Sequence, residues 1–446
     1  MPISDENAKQ IRIGMLGCGT VGTGLIKLLD KPSVDLRANC LELTISRVAV
    51  KDPTRPRDVN LDPAIVTSDV LSVVNADDVD LIVEVMGGNT LAVEAGCLAL
   101  QLGKPLVTAN KSALARFYPR YVEAGDVAVG MESAAAAHIP IIGVLERSLA
   151  IEEITLVKGV INGSTNYILT FMERAGCEYE VALADAAAKG FTEADPSLDV
   201  EGIDAAEKLT LLALKAFGVH VHPDKIATEG ITGITQVDVQ LANALDHRIK
   251  LVAAARMTER GLSLRVHPAL VHRGELLADV DSEFNAIILE GPSFDELTFL
   301  GKGAGELPTA SAVLNDIVKV ARGLRPLSSS IRRAASKDIK LIDTAELQLC
   351  YFLRFASDAS ADEALAQLKS LNIPVLRHAQ IEYNGQRFFG MITDVLQERF
   401  IMSLLPEISK LDTVHSKLGL LRLDKDNYRD IIEREQSTYF GSSLKR

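Results

Sequence analysis

The feature that most limits how this 446-residue chain can fold is a glycine triplet close to its start. Gly17-Cys18-Gly19-Thr20-Val21-Gly22 follows the apolar run IRIGML (11–16) and opens a helix-patterned stretch, Val21–Leu29. A strand that turns through GxGxxG into a helix begins a βαβ unit, and the next strand must then lie parallel to the first. Gly17 permits the tight turn, Gly19 lets backbone approach a pyrophosphate, and Gly22 lets helix and strand pack closely. The helix start supplies free N–H groups and a positive dipole end. The same six residues also read as a glycine-bearing turn without a ligand, but the strand before them and the helix after them favour a dinucleotide cradle.

Strands at 43–50, 79–85 and 105–107 alternate with a helix at 91–102, which extends the parallel α/β pattern to about residue 140. The loop after the second strand, Lys51-Asp52-Pro-Thr-Arg55-Pro-Arg57, is where a dinucleotide's ribose is read. Asp52 could accept from the 2′-hydroxyl of NAD, although it lies further from the glycines than usual. Lys51, Arg55 and Arg57 could instead hold the 2′-phosphate of NADP, and the crowding of cations favours NADP over NAD. They also read as solvated loop charges.

Beyond residue 140 the rhythm changes. A strand is expected at 154–161 and helices at 166–174, 180–189 and 203–217. Strands follow at 263–271 and 285–290, then a helix at 310–324. The Ser/Arg-rich run 325–338 reads as linker. After it come a strand at 347–355, a helix at 361–371 and a hairpin at 380–389 turning at Asn384-Gly385. A strand at 390–396, a helix at 400–411 and a strand at 418–423 complete the reading.

The formal charge of −13 opposes non-specific binding to nucleic acid or to an anionic membrane. Five cysteines without a CxxC pair suit a reducing compartment, and no apolar run reaches the roughly 18 residues that span a bilayer. The opening MPISDENAKQ lacks the pattern of a signal peptide, so a cytoplasmic location is expected.

The richest stretch is 189–209, KGFTEADPSLDVEGIDAAEKL. Glu193, Asp195, Asp199, Glu201, Asp204 and Glu207 crowd it, and Asp204 and Lys208 are four apart on one helix face. An exposed acidic loop with an ordinary i,i+4 pair is one reading. The other is a pocket in which Glu193 and Asp204 pair with a substrate ammonium while Lys208 serves its far end. A carbonyl that receives hydride becomes an alkoxide, and a lysine can protonate it or stabilise its charge.

These motifs resemble the homoserine dehydrogenase family over nearly the whole chain. They are GCGTVG (17–22), TANKSALA (108–115), GVINGSTNYIL (159–169), the 189–209 stretch, and GKGAGELPTASAVLNDI (301–317). The resemblance implies NAD(P)-dependent interconversion of L-homoserine and L-aspartate 4-semialdehyde in threonine and methionine biosynthesis. It implies a catalytic role for Lys208 and Lys111, and contacts to substrate from Glu193, Asp204 and Asp199. Gly17, Gly19, Thr20, Val21, Gly22, Lys111, Gly190 and Gly303 match cofactor contacts. A monovalent cation would sit on backbone carbonyls matching Glu132, Ala135, Ala137 and Ile139.

The resemblance also implies three layers of organisation. A Rossmann-type parallel sheet (1–140) precedes a mixed α/β catalytic and dimerisation domain (141–324), whose 310–324 helix packs back on the first. A linker (325–346) leads to a C-terminal βαββαβ ACT-like regulatory domain (347–430) and a tail (431–446). A homodimer or homotetramer acting on a small molecule is expected. Two departures stand out. The loop before Ile139-Pro140, normally glycine-rich, reads Glu132-Ser-Ala-Ala-Ala-Ala-His138. The turn after the first strand of the last domain reads Asp358-Ala-Ser-Ala-Asp362, without the usual glycine, so this domain is as readily a bracing module as a sensor. A cofactor-bound sensor without turnover, or another amino-acid dehydrogenase of the same fold, are the rival readings.

Overall fold

A computed structural model describes residues 8–31, 36, 40–324, 339–411, 414–416 and 418–424. Most of the expected 325–346 linker and all of the 431–446 tail lie outside these residues. The chain forms two compact units, one from 1–157, 206–226 and 287–339, the other from 158–205, 227–286 and 340–446.

In the first unit six strands lie in the order β3-β2-β1-β4-β5-β6, all parallel. They are β1 (Lys9–Leu16), β2 (Leu41–Ala49), β3 (Val66–Thr67), β4 (Leu81–Glu84), β5 (Leu106–Thr108) and β6 (Val129–Gly130). Ile13, Met15, Val48, Val83 and Val107 are fully inaccessible. A parallel sheet needs helices on its faces, so its strands are short apolar runs. The Glu306–Ala321 helix supplies Val313 and Ile317 to this core, beside Leu25 of the Thr20–Leu29 helix. Strand order reverses between β1 and β4, and in such sheets ligands bind beyond the strands' carboxyl ends at that reversal.

The remaining strands are β7 (Leu156–Val160), β8 (Ala227–Thr228), β9 (His247–Thr258), β10 (Gly261–His272), β11 (Phe284–Gly291) and β12 (Asp295–Lys302), then β13 (Gln348–Leu349), β14 (Tyr351–Ala356), β15 (Val375–Tyr383), β16 (Gln386–Thr393), β17 (Leu396–Gln397) and β18 (Gly419–Leu423). Within the second unit the order is β7-β9-β10-β18-β14-β16-β15, with β8 beside β10. β9 and β10 pair antiparallel along their whole length, from His247↔His272 to Thr258↔Gly261. Both are buried on both faces over most of that length. β9 is absent from the sequence reading for that reason: a strand covered on both sides does not alternate, and HRIKLVAAARMT is rich in alanine.

The C-terminal segment runs β14, helix Ala361–Ser370, β15, β16, helix Glu398–Ile408, β18. Two corrections apply there. The strand expected at 347–355 is broken at Cys350 into β13 and β14. The strand expected at 390–396 is the second half of β16, because the hairpin arms are longer than read. Asn384 and Gly385 both take positive φ, 50° and 75°, as a two-residue hairpin turn requires. β18 joins this segment to β10 through two parallel pairs. A buried ion pair, Lys158 Nζ to Asp424 Oδ2 at 2.5 Å, clamps that junction. Among the described residues no helix is long and apolar enough to cross a membrane.

Candidate active site

The glycine turn has the form a dinucleotide requires. Gly17 has φ +102°, and a Cβ there would lie 2.7 Å from the Met86 Cα and the Val85 carbonyl oxygen. A Cβ on Gly22 would meet the Gly17 carbonyl at 2.6 Å, so helix and strand pack as closely as backbone allows. A Cβ on Gly19 would meet nothing within 4 Å. Two of the glycines therefore shape the turn, and the third leaves open space over its backbone. No side chain caps the helix that begins at Thr20, so its first-turn N–H groups, those of Thr20 and Val21 included, are not held by a capping side chain.

The neighbouring strand ends are tied together. Glu84, buried at the end of β4, accepts from Thr108 Oγ1 at 2.7 Å and from the Met86 N–H at 2.9 Å. Burial is the largest influence on this carboxyl and raises its pKa, against the pull of those hydrogen bonds. Thr108 Oγ1 in turn accepts from the Asn110 N–H. Asn110 caps the next helix through Ala113 N–H at 3.1 Å, and its amide donates to the Gly88 carbonyl at 2.7 Å. Lys111 is thereby fixed as the first residue of the Lys111–Ala124 helix, directly beyond the carboxyl end of β5. Asn89, beside Gly88, has a buried amide oxygen with no protein hydrogen-bond partner. An orphaned acceptor next to an open glycine turn fits a bound dinucleotide.

After β2, Lys51 and Arg55 are exposed. Asp52 Oδ1 accepts from the Thr54 hydroxyl at 2.6 Å and the Thr54 N–H at 2.9 Å, and these bonds lower the carboxyl's pKa. Its carboxylate is engaged within its own loop.

In the second unit Asn162 closes β7 and caps the Gly163–Ala175 helix, its Oδ1 accepting from the Thr165 N–H at 2.8 Å. Its amide nitrogen donates to Asp199 at 2.7 Å and to Asp204 at 2.9 Å. One buried amide thus holds two of the three predicted substrate carboxylates. Glu193 lies exposed in the preceding loop, after Gly190, which takes φ +74° to end the Tyr179–Ala188 helix. Thr192 Oγ1 in the same loop is buried without a protein partner. Asn162 is absent from the expected site residues; its place between a strand and a helix was the available signal. Nothing in the sequence marked Asn89 or Thr192.

Asp204 and Lys208 stand one turn apart on the Ile203–Phe217 helix. Between them Glu207, buried, accepts from Ser112 Oγ at 2.8 Å and from Arg116 Nε at 2.9 Å. Gly303 is a buried bend residue directly after β12.

The loop matched to a cation site is organised around Glu132. Its carboxylate accepts from the Ile142 and Gly143 N–H groups at 2.7 and 2.9 Å and pairs with Lys319 at 2.7 Å. Asp316 accepts from the Glu132 N–H, and burial pushes its pKa up to about 6. Ala137 takes φ +48°, the conformation a glycine would adopt without strain, while His138 is exposed. The Ile139 carbonyl accepts from the Ile141 N–H at 2.8 Å. The Glu132 carboxylate is therefore satisfied by protein groups.

Comparison with known proteins identifies the family. Residues 17–126 match the family model for the homoserine dehydrogenase NAD-binding domain, and residues 140–318 match the homoserine dehydrogenase model. A homoserine dehydrogenase of Pseudomonas aeruginosa is 33% identical over 437 residues, covering 94% of this chain and all of that protein. The crystal structure of a homoserine dehydrogenase from Thiobacillus denitrificans superposes with a TM-score of 0.84 at 32% identity, covering 94% of this chain and all of the other. A hyperthermophilic archaeal homoserine dehydrogenase in complex with NADPH matches at 25% identity and a TM-score of 0.61, over 72% of this chain and all of that one. Identity at this level along nearly full length, joined to the glycine turn and the paired acids, places the chain in the homoserine dehydrogenase family.

Proposed function

We propose that the chain exchanges hydride between L-homoserine and L-aspartate 4-semialdehyde, with Glu193, Asp199 and Asp204 holding the amino acid and Lys208 moving the proton. The observation that carries the assignment is the Asn162 clamp, which holds two carboxylates together one helical turn before a lysine. A group of carboxylates is complementary in charge to the α-ammonium of homoserine. In oxidation, neutral Lys208 takes the proton of the homoserine hydroxyl; in reduction, its ammonium returns a proton to the alkoxide. Lys111 stabilises charge on the same oxygen from the start of its helix.

A nicotinamide dinucleotide, when bound, would provide the hydride acceptor for oxidation and the donor for reduction. Gly17, Gly19, Thr20, Val21 and Gly22 would hold its pyrophosphate and Asn89 would offer its orphaned amide oxygen, with Gly190 and Gly303 the further cofactor contacts that the family resemblance implies. NADP is favoured over NAD, because Asp52 is engaged by Thr54 while Lys51 and Arg55 are exposed beside it. The archaeal relative solved with NADPH supports that choice. A monovalent cation at Glu132, Ala135, Ala137 and Ile139 would have main-chain carbonyls as its ligands, since the Glu132 side chain is taken.

Residues 347–430 act as an ACT-type module, the protein is a homodimer, and it works in the cytoplasm. The assignment of the acids is tested by steady-state kinetics on Glu193→Ala and Asp204→Asn. KM for homoserine rises at least about tenfold in each, the scale of a lost charge-assisted contact, while KM for the dinucleotide stays. An unchanged homoserine KM in both would remove the acids from the substrate site.

A further inference from the structure

Glu207 is a carboxylate in an acid-crowded stretch that the reaction itself does not use. It is buried, yet it is not an ordinary helix-face acid: Ser112 and Arg116, which donate to it, sit on a single other helix. Ser112 and Arg116 are four residues apart and so share one face of the Lys111–Ala124 helix. Ser112 directly follows Lys111, and Glu207 directly precedes Lys208. One carboxylate oxygen, Oε1, thus takes a hydrogen bond from the residue next to one lysine while belonging to the residue next to the other.

We infer that Glu207 is a positioning residue that sets the spacing and rotation of Lys111 relative to Lys208. The reading rests on the roles proposed above for the two lysines. The Lys111–Ala124 helix is also tied to the segment that follows the Ile203–Phe217 helix. Arg116 extends from Glu207 to Asp224 at 2.8 Å, the His220 ring nitrogen Nε2 lies 2.7 Å from the Ala115 carbonyl, and the His220 ring stacks on Tyr118 at 5.6 Å. These contacts hold the first helix against that following segment. Glu207 acts at the end that carries the lysines. A carboxylate this buried is held in one place by its two donors, because leaving either bond costs the desolvation already incurred. Rotating either helix by a few degrees would break one of them. The two ammonium-bearing side chains therefore start from backbone positions with a fixed mutual geometry, and small misplacements of catalytic groups cost rates on the order of 10²-fold.

The test compares Glu207→Gln, Ser112→Ala and Lys208→Ala singly, and Glu207→Gln combined with Lys208→Ala. Glu207→Gln keeps size and an acceptor oxygen but loses the charge that holds Arg116. Its kcat falls about 10–100-fold while KM for homoserine, dinucleotide affinity by fluorescence titration and melting temperature stay close to the parent. Ser112→Ala, which removes one bond and leaves the ion pair, lowers kcat less, and it serves where Glu207→Gln folds poorly. In the double variant the Glu207→Gln loss disappears, because no lysine remains to be positioned. Normal kcat in both Glu207→Gln and Ser112→Ala, with Lys208→Ala inactive, would overturn the positioning role and leave the lysine assignment standing. A near-normal Lys208→Ala would instead remove the assignment itself. A full additive loss in the double variant would show that Glu207 acts on something other than Lys208.

Discussion

The residues that carry chemistry differ in how far the sequence could reveal them. Lys208 and Asp204 were readable because a helix puts positions four apart on one face, and Gly17, Gly19 and Gly22 because backbone sterics leave few alternatives. Asn162 and Glu207 were not, since their partners are about 40 and 95 positions away and only the fold joins them. Asn162→Ala removes one hydrogen bond from each of two carboxylates; KM for homoserine rises about tenfold or more, and a KM within twofold of the parent would show that the clamp is not used. Lys250 illustrates a buried cation outside the site. It donates to the Val280 carbonyl at 2.6 Å and to Asn166 at 3.0 Å, and burial lowers its pKa from 10.5 to about 8. Between those two values the unfolded chain binds a proton that the folded chain does not, so this group makes stability rise with pH across that window, and its cost is fully present below about pH 8. Urea unfolding at pH 7.5 and 9.5 should therefore show the parent gaining on Lys250→Met by on the order of 1–2 kcal/mol as pH rises. Parallel behaviour of the two would contradict the burial argument.

At the level of elements, the parallel sheet was legible because short apolar runs between turn residues have one reading when a glycine turn fixes the first crossover. The long β9–β10 pair was half missed, because burial on both faces erases the alternation that marks a strand. The same burial bears on assembly. The resemblance implies a dimer or tetramer, and β9 and β10 are already covered within one chain. Exposed Leu276 and Phe284 in the second unit, 60% and 38% accessible, remain as apolar surface that a second copy could bury. The turn after β14 bears on regulation. Ser360 caps the following helix in a reciprocal box with Glu363, and the Ala359 N–H donates to Ser357 Oγ at 3.1 Å. The backbone groups a small amino acid would need there are engaged, and no glycine opens the turn. Threonine titrated to millimolar levels should therefore leave homoserine oxidation unchanged or weakly reduced. Strong saturable inhibition, lost on truncation near Ser336, would show that the module does bind a ligand.

One helix, Ile203–Phe217, carries both Asp204 and Lys208. Sedimentation at micromolar concentration is expected to give a dimer; a single monomeric species would contradict that assembly. The central claim, homoserine oxidation with Lys208 as proton carrier, is tested most directly by the absorbance of reduced nicotinamide. Purified protein is mixed with NADP and L-homoserine, and the parent is compared with Lys208→Ala. The parent forms reduced dinucleotide only when homoserine is present, and Lys208→Ala is slower by on the order of 10²–10⁴-fold with dinucleotide affinity retained. No homoserine-dependent signal from the parent with NADP or NAD, or an undiminished rate in Lys208→Ala, would contradict it.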